Sequence, residues 1–256
     1  MWRESQRRLV VAILALETGQ PGPLENFGAS QESVRIGQTG RSREAPEGGE
    51  ETIGEKVEMR HLLPLLFCGA CLAQGPPWIP LFDGKTLNHW RSEGKAAWSV
   101  ADGTITGRQG PGGGAGELLT EDKWADFELE AEWKMRFPGN SGIWFRYTDS
   151  KSAYQADILD EPKSYPDALS GSLYCMGKAF LARNSDPSTV HQDDWNRMRI
   201  RASGDLIVIA LNGKEVVRIN DGTFRAAGHI GIQVHAGKEF ENMEIRVRAI
   251  RLRPLQ

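Results

Sequence analysis

The stretch Asp126–Met135, DFELEAEWKM, alternates without a break: Phe127, Leu129, Ala131, Trp133 and Met135 fall on one side, Glu128, Glu130, Glu132 and Lys134 on the other. A period of two over this length describes a strand with one face in a core and the other among polar groups. Outward from it the same reading recurs. WSVADGTITG, residues 98–107, is a hairpin turning at Asp102-Gly103. NRMRIRASGDLIVIALNGKEVVRI, residues 196–219, gives three strands broken at Gly204-Asp205 and Asn212-Gly213. GHIGIQVH (228–235) and NMEIRVRAIRLRPL (242–255) supply the last strands. The best helical candidate is a short one around Pro166–Ser170. Strands with a turn signal every ten or so residues predict an all-β fold, a sandwich of two antiparallel sheets.

Composition narrows the function classes. The chain has 256 residues, 39% hydrophobic and 25% charged, with a formal net charge of -3, so no general field draws it to nucleic acid or to an anionic membrane. Seven of eight Trp lie between Trp78 and Trp195. Indole rings serve cores and also stack on sugar faces. GPGGGAG at residues 110–116 does not lead from a strand into a helix, so it is a hairpin tip rather than a phosphate loop. Over residues 78–256 no HExxH or CxxC metal spacing and no nucleophile-elbow motif occurs.

The amino-terminal part reads differently. GQTGRSREAPEGGEETIGEKVE, within residues 1–58, is rich in Gly and Glu without an apolar period, a composition that buries too little surface to fold. Residues 1–58 are therefore expected to be a disordered extension or one wrongly joined to the coding region. Residues 59–74 read as an export signal that starts at Met59: Arg60 and His61, the apolar run Leu62–Ala73, then a small-residue end. That run is too short for a stable membrane span. Cys71 within it is a weak candidate for lipid attachment, since Cys68 stands three residues earlier where Leu is usual. The folded domain is expected over residues 78–256, in the periplasm or outside the cell, with Cys175 its lone cysteine.

The faces of the other strands carry the functional signal. PGNSGIWFRYTDSKSAYQADILD, residues 138–160, is half aromatic and half polar. Alternation puts Asn140, Trp144 and Arg146 on one face of its first strand, and Gln155 and Asp157 on one face of its second. Gln233 and His235 likewise oppose Ile232 and Val234. If these faces share a sheet, they form a platform for a polyhydroxylated ligand.

LFDGKTLNHW, WSVADGTITG, ELLTEDKWADFELEAEWKM, GNSGIWFR, YQADILD, SGSLY, DDWNRMRIRASG, LNG and GHIGIQVHAGKEFENMEI occur in this order from about Ile79 to Leu252. In these segments the chain resembles the 3-keto-disaccharide hydrolase domain family. The resemblance implies a concanavalin A-like jelly roll and the cleavage of glycosides oxidised to a ketone at sugar carbon 3. Such a ketone acidifies the proton on carbon 2, so a base, a partner for the enolate oxygen and an acid for the leaving oxygen suffice. For that chemistry Asp157 is the candidate base, His235 the acid, Arg146 the cation for the keto oxygen, and Glu132 an acid, base or metal ligand. Trp144, Gln155, Tyr174, Gln233 and Asn140 are candidates for holding the sugar, Trp144 by stacking. Glu132, Asp157 and His235 could hold a divalent metal. Glu128 and Glu130 are expected to face solvent.

The resemblance also exposes a departure. The family pattern Tyr-Glu-x-Gln-x-x-Asp reads here Tyr154-Gln155-Ala156-Asp157-Ile158-Leu159-Asp160. The usual Glu is Gln155, which cannot act as a base, and the usual Gln is Asp157, which can. A carbohydrate-binding module without chemistry is the alternative that Gln155 favours. A scaffold domain resembling laminin G comes third.

Overall fold

A computed structural model describes residues 75–160 and 165–255. The extension over 1–58, the export signal over 59–74 and the lipid-attachment candidate Cys71 lie outside the described residues. Fifteen strands make up the described chain: β1 (Ile79–Pro80), β2 (Trp90–Gly94), β3 (Ala97–Ala101), β4 (Thr104–Arg108), β5 (Gly116–Thr120), β6 (Phe127–Arg136), β7 (Gly139–Asp149), β8 (Ser152–Asp160), β9 (Leu169–Cys175), β10 (Ala179–Asn184), β11 (Asn196–Ser203), β12 (Leu206–Leu211), β13 (Lys214–Asn220), β14 (His229–Val234) and β15 (Glu244–Pro254). They form two antiparallel sheets. One has the order β13-β12-β11-β6-β15-β4-β3 with β1 added to β15, and the other the order β10-β9-β8-β7-β14-β5-β2. This is the jelly-roll sandwich expected from the sequence.

Turn chemistry sets the hairpins. Asp102 and Gly103 have φ of 50° and 71°, and Asn212 and Gly213 have 51° and 86°, the left-handed pair that a tight two-residue hairpin demands and that Asx-Gly adopts at low cost. The short helix expected around Pro166–Ser170 does not form, because β9 begins at Leu169 and pairs with β10. Among the described residues no helix is long and apolar enough to cross a membrane.

The core lies where the inner faces meet. The alternation of β6 holds throughout: Phe127, Leu129, Ala131, Trp133 and Met135 are all buried in it. Opposite them stand Ile143, Phe145, Tyr154, Ala156, Ile158, Ile232 and Val234 of the other sheet. Each large apolar side chain there contributes about 1.5–3 kcal/mol, enough for a domain of this size to fold without a disulfide. Cys175 is buried and free.

The outer face of β6 differs from expectation. Glu128 and Glu130 are buried under arginines rather than facing solvent. Register sets Glu128 between Arg201 and Arg253, and Glu130 between Arg199 and Arg251. Both carboxylates accept hydrogen bonds from both neighbours.

Candidate functional site

The seven-stranded sheet carries most of the candidate residues on its outer face. β7 and β8 pair with Gly142 opposite Asp157 and Trp144 opposite Gln155, and β8 pairs with β9 so that Gln155 faces Tyr174. On the other side of β7, Gly231 of β14 stands opposite Trp144. Gln233 therefore lies beside Gly142, and the next strand puts Glu117 opposite Gln233 and then Glu93 opposite Glu117. One row across five strands thus reads Glu93, Glu117, Gln233, Gly142, Asp157.

Gly142 holds this row together. A Cβ built there would lie 2.5 Å from Cγ of Gln155, so the absent side chain is what lets Gln155 lie across β7. From there its Nε2 donates to Oε1 of Gln233 at 2.9 Å. Gln155 is buried, while Tyr174 and Gln233 are partly open.

Asp157 sits beside this pair. It is 4% exposed, and among the described residues no hydrogen bond or ion pair reaches its carboxyl. Burial alone raises its pKa well above the usual aspartate range. Tyr174 feels it: burial raises the tyrosine pKa, and the charge of Asp157 adds to the rise.

The site has a second acid that sequence reasoning missed. Glu117 on β5 is pushed up to about 7, first by burial and then by the nearby Glu93. Glu93 forms an ion pair with Arg91 and accepts a 3.4 Å hydrogen bond from Tyr147. The available signal was the alternation of GELLT, where Leu118 turns to the core and Glu117 away from it. That run is too short to separate from noise. With three strand spacings of about 4.8 Å between them, Glu117 and Asp157 have backbones roughly 14 Å apart, and the Gln155–Gln233 amide pair lies between them.

Not every candidate belongs to this face. Arg146 does not share the face of Trp144. Its φ of 49° and the shift of register after Phe145 break the alternation, and Tyr147 takes the outer position instead. The Arg146 guanidinium is fully buried. It donates to the carbonyls of Ala125 (2.7 Å), Phe224 (3.0 Å) and Gly204 (2.9 Å) and to Oδ1 of Asp126 (2.9 Å), so it ties loops together and has no donor aimed at a sugar. Glu132 is on the outer face of the other sheet, where Nε of Arg248 donates to it at 2.8 Å. The sandwich therefore stands between Glu132 and Asp157, and the set Glu132, Asp157 and His235 cannot converge on one ion. Among the described residues no group of three His, Cys, Asp or Glu is placed to hold a metal.

Trp144 is on the expected face but is 4% exposed. It packs with Leu119, Tyr147 and Ala153 in a small second apolar layer, edge-on to Tyr147 at 6.0 Å. It walls the polar row and does not offer an open stacking surface. His235 is exposed just past β14, its backbone N–H donating to the carbonyl of Asn140 at 3.3 Å and its ring edge-on to Phe240 at 5.8 Å. Asn140 is half-buried at that end of β7. Next to His235 opens a cavity of about 380 Å³ lined by Gln109, Gly110, Gly112, Gly113, Gly237, Lys238 and Glu241. The glycine-rich 110–116 tip forms its wall, with Gln109 donating to the carbonyls of His235 and Gly237.

This face is a row of polar side chains with two carboxyls of raised pKa, walled by aromatic groups. The 3-keto-disaccharide hydrolase of Bacteroides thetaiotaomicron is 31% identical to this chain, over 55% of this chain and 57% of that protein. The chain thus spans little more than half the length of that relative. Among solved structures, a Parabacteroides distasonis protein proposed as a glycosyl hydrolase is similar with a TM-score of 0.55 and 23% identity, covering 70% of this chain and 100% of that one. A Bacillus subtilis protein with a galectin-like fold is similar with a TM-score of 0.56 and 15% identity, over 70% and 94%. At these identities the likeness is one of fold, the lectin-type sandwich. The sequence model of one family matches residues 77–253, more than two thirds of the sequence, and the chain belongs to that family, the 3-keto-alpha-glucoside-1,2-lyase-like domains.

Proposed function

We propose that this protein is an exported enzyme that cleaves 3-keto-glycosides by elimination followed by hydration, on the outer face of the seven-stranded sheet. The observation that carries the reading is Asp157: a buried carboxyl without a partner among the described residues, beside the amide pair Gln155–Gln233. Burial makes its carboxylate a stronger base than an exposed one, which suits abstraction of a carbon-bound proton.

In the proposed cycle the Asp157 carboxylate takes the proton from carbon 2, and the C–H pair flows into the ketone to give the enolate. The amide N–H groups of Gln155 and Gln233 and the hydroxyl of Tyr174 are the donors available to the enolate and ring oxygens. The enolate then expels the group at carbon 1, whose oxygen takes a proton from the imidazolium of His235. Water adds back: its oxygen bonds to carbon 1, its proton goes to the Glu117 carboxylate, and Asp157 returns its own proton to carbon 2. Solvent carries the proton from Glu117 to His235. The net reaction is hydrolysis, and no glycosyl-enzyme intermediate forms. Export rests on the apolar run Leu62–Ala73 after two basic residues.

Sugar binding without turnover is the second reading. It is favoured by Gln155, an amide that pairs with Gln233 where the family pattern has Glu. Release of the aglycone from a 3-keto-glucoside separates the two: an enzyme releases it, whereas a binding module holds glycan at saturation and releases nothing.

A further inference from the structure

The outer face of the eight-stranded sheet takes no part in that chemistry, and its side chains are far from a random solvated surface. Strand register lays out repeated rows in which a carboxylate lies between two cations: Arg201–Glu128–Arg253, Arg199–Glu130–Arg251 and Arg197–Glu132–Arg248. At the end of the sheet Glu244 is shared by Arg108 and Arg246. The extra residue Ala249, with φ of 50°, is what keeps the array in step. It forms a bulge in β15 that lets both Arg248 and Arg251 face outward while Ile250 stays in the core.

Along β4, β6, β11 and β15 this face carries ten cations, Arg108, Lys134, Arg136, Arg197, Arg199, Arg201, Arg246, Arg248, Arg251 and Arg253, against the four carboxylates of Glu128, Glu130, Glu132 and Glu244. Six positive charges are left over, in a chain whose net charge is -3. Lys134, Arg136 and Arg197 form no ion pair among the described residues. Within the array lies a depression of about 240 Å³ lined by Pro80, Phe82, Glu130, Glu132, Arg197 and Arg251 among others. It is smaller than the roughly 300 Å³ at which drug-sized pockets begin, so it suits one ring rather than a large ligand. Indoles flank it: the guanidinium of Arg248 stacks at 3.9 Å over Trp195, and that of Arg251 at 4.7 Å over Trp78.

We propose that this face is a second carbohydrate-binding surface, one that takes an acidic polysaccharide of uronate units. A guanidinium fork matches a planar carboxylate, and the excess positive charge selects a polymer that carries one on each sugar. Glu132, the most exposed of the four carboxylates at 29%, accepts from sugar hydroxyls at the same place. A DNA strand fits less well, because it carries no internal hydroxyls to donate to Glu132.

The test is affinity electrophoresis of the full chain through gels containing polygalacturonate, methyl-esterified polygalacturonate, neutral dextran or a DNA oligonucleotide, at about 0.15 M salt. The expected result is retardation by polygalacturonate alone, with affinity at least tenfold lower in the variant K134Q/R136Q/R197Q. Those three side chains hold no ion pair within the array, so the variant keeps its fold, and an unchanged melting curve verifies that. Catalysis on the opposite sheet is expected to be unchanged. No retardation by polygalacturonate, equal retardation by the esterified polymer, tighter binding of DNA, or full retention by the triple variant each overturns the proposal.

Discussion

Gln155 donates from Nε2 to Oε1 of Gln233 at 2.9 Å, reaching across the bare backbone of Gly142. Two side chains from strands that do not pair with each other are thereby locked over the strand between them. The contact fixes where a ligand's hydroxyls can be met, since the amide groups are held before the ligand arrives.

A methyl group at Gly142 breaks that arrangement. In Gly142→Ala the new Cβ would lie 2.5 Å from Cγ and 2.6 Å from Nε2 of a buried Gln155, so the amide must move. Overpacking of this kind costs about 1–3 kcal/mol. Urea unfolding is expected to show that loss, and steady-state kinetics a fall in kcat/KM of at least tenfold.

Glu117 gives the fold a pH dependence with a defined sign. Its pKa is raised from 4.5 to about 7, so the folded protein holds a proton that the unfolded chain has released over that window. The stabilisation is complete below about 4.5 and is lost as the pH rises through 7. Glu117→Gln, which needs no proton, is expected to flatten this slope. At pH 8 it should be about 1–3 kcal/mol more stable than the native chain, its partial exposure allowed for. Urea midpoints at pH 4.5, 6 and 8 check this.

Arg146 is predicted to behave as a structural residue. Its buried guanidinium meets three carbonyls and a carboxylate, a fork that Lys cannot reproduce. Arg146→Lys is expected to lose about 3–5 kcal/mol, measured as a drop in melting temperature. The protein that remains folded should keep its turnover number.

For Trp144 the relevant contrast is burial against stacking. Removing a side chain packed against Leu119, Tyr147 and Ala153 is expected to cost about 3–5 kcal/mol in Trp144→Ala. An open sugar platform would lose less than about 0.5 kcal/mol. Denaturant unfolding separates the two.

Alternation made the sandwich legible. In β6 every residue assigned to the core is in it, and the turns at Asp102-Gly103 and Asn212-Gly213 fall where the dipeptides put them. What alternation cannot say is which sheet a polar face belongs to, because strand neighbours are set by long-range packing. Glu132 and Asp157 have the same local pattern and point out of opposite sides of the sandwich. Arg146 was misread for a different reason: one residue at positive φ reverses the facing of all that follows, and its arginine carries no local mark of that. Glu117 was overlooked because its raised pKa comes from burial and from Glu93 on a neighbouring strand, neither visible in GELLT. The exchange at Gln155 and Asp157 could be read, and the structure shows what it leaves: an amide pair over Gly142 and a buried acid two residues along the same face.

The most direct measurement is aglycone release from a 3-keto-glucoside by the native chain and by Asp157→Asn, followed from pH 5 to 9. Loss of a positioned general base is expected to reduce release by about 100-fold or more. The variant should stay folded, and wherever the native Asp157 is ionised should be more stable, since Asn carries no charge into the buried site. Release that is undiminished in Asp157→Asn, or no release by the native chain at any pH while it binds glycan to saturation, would contradict the mechanism.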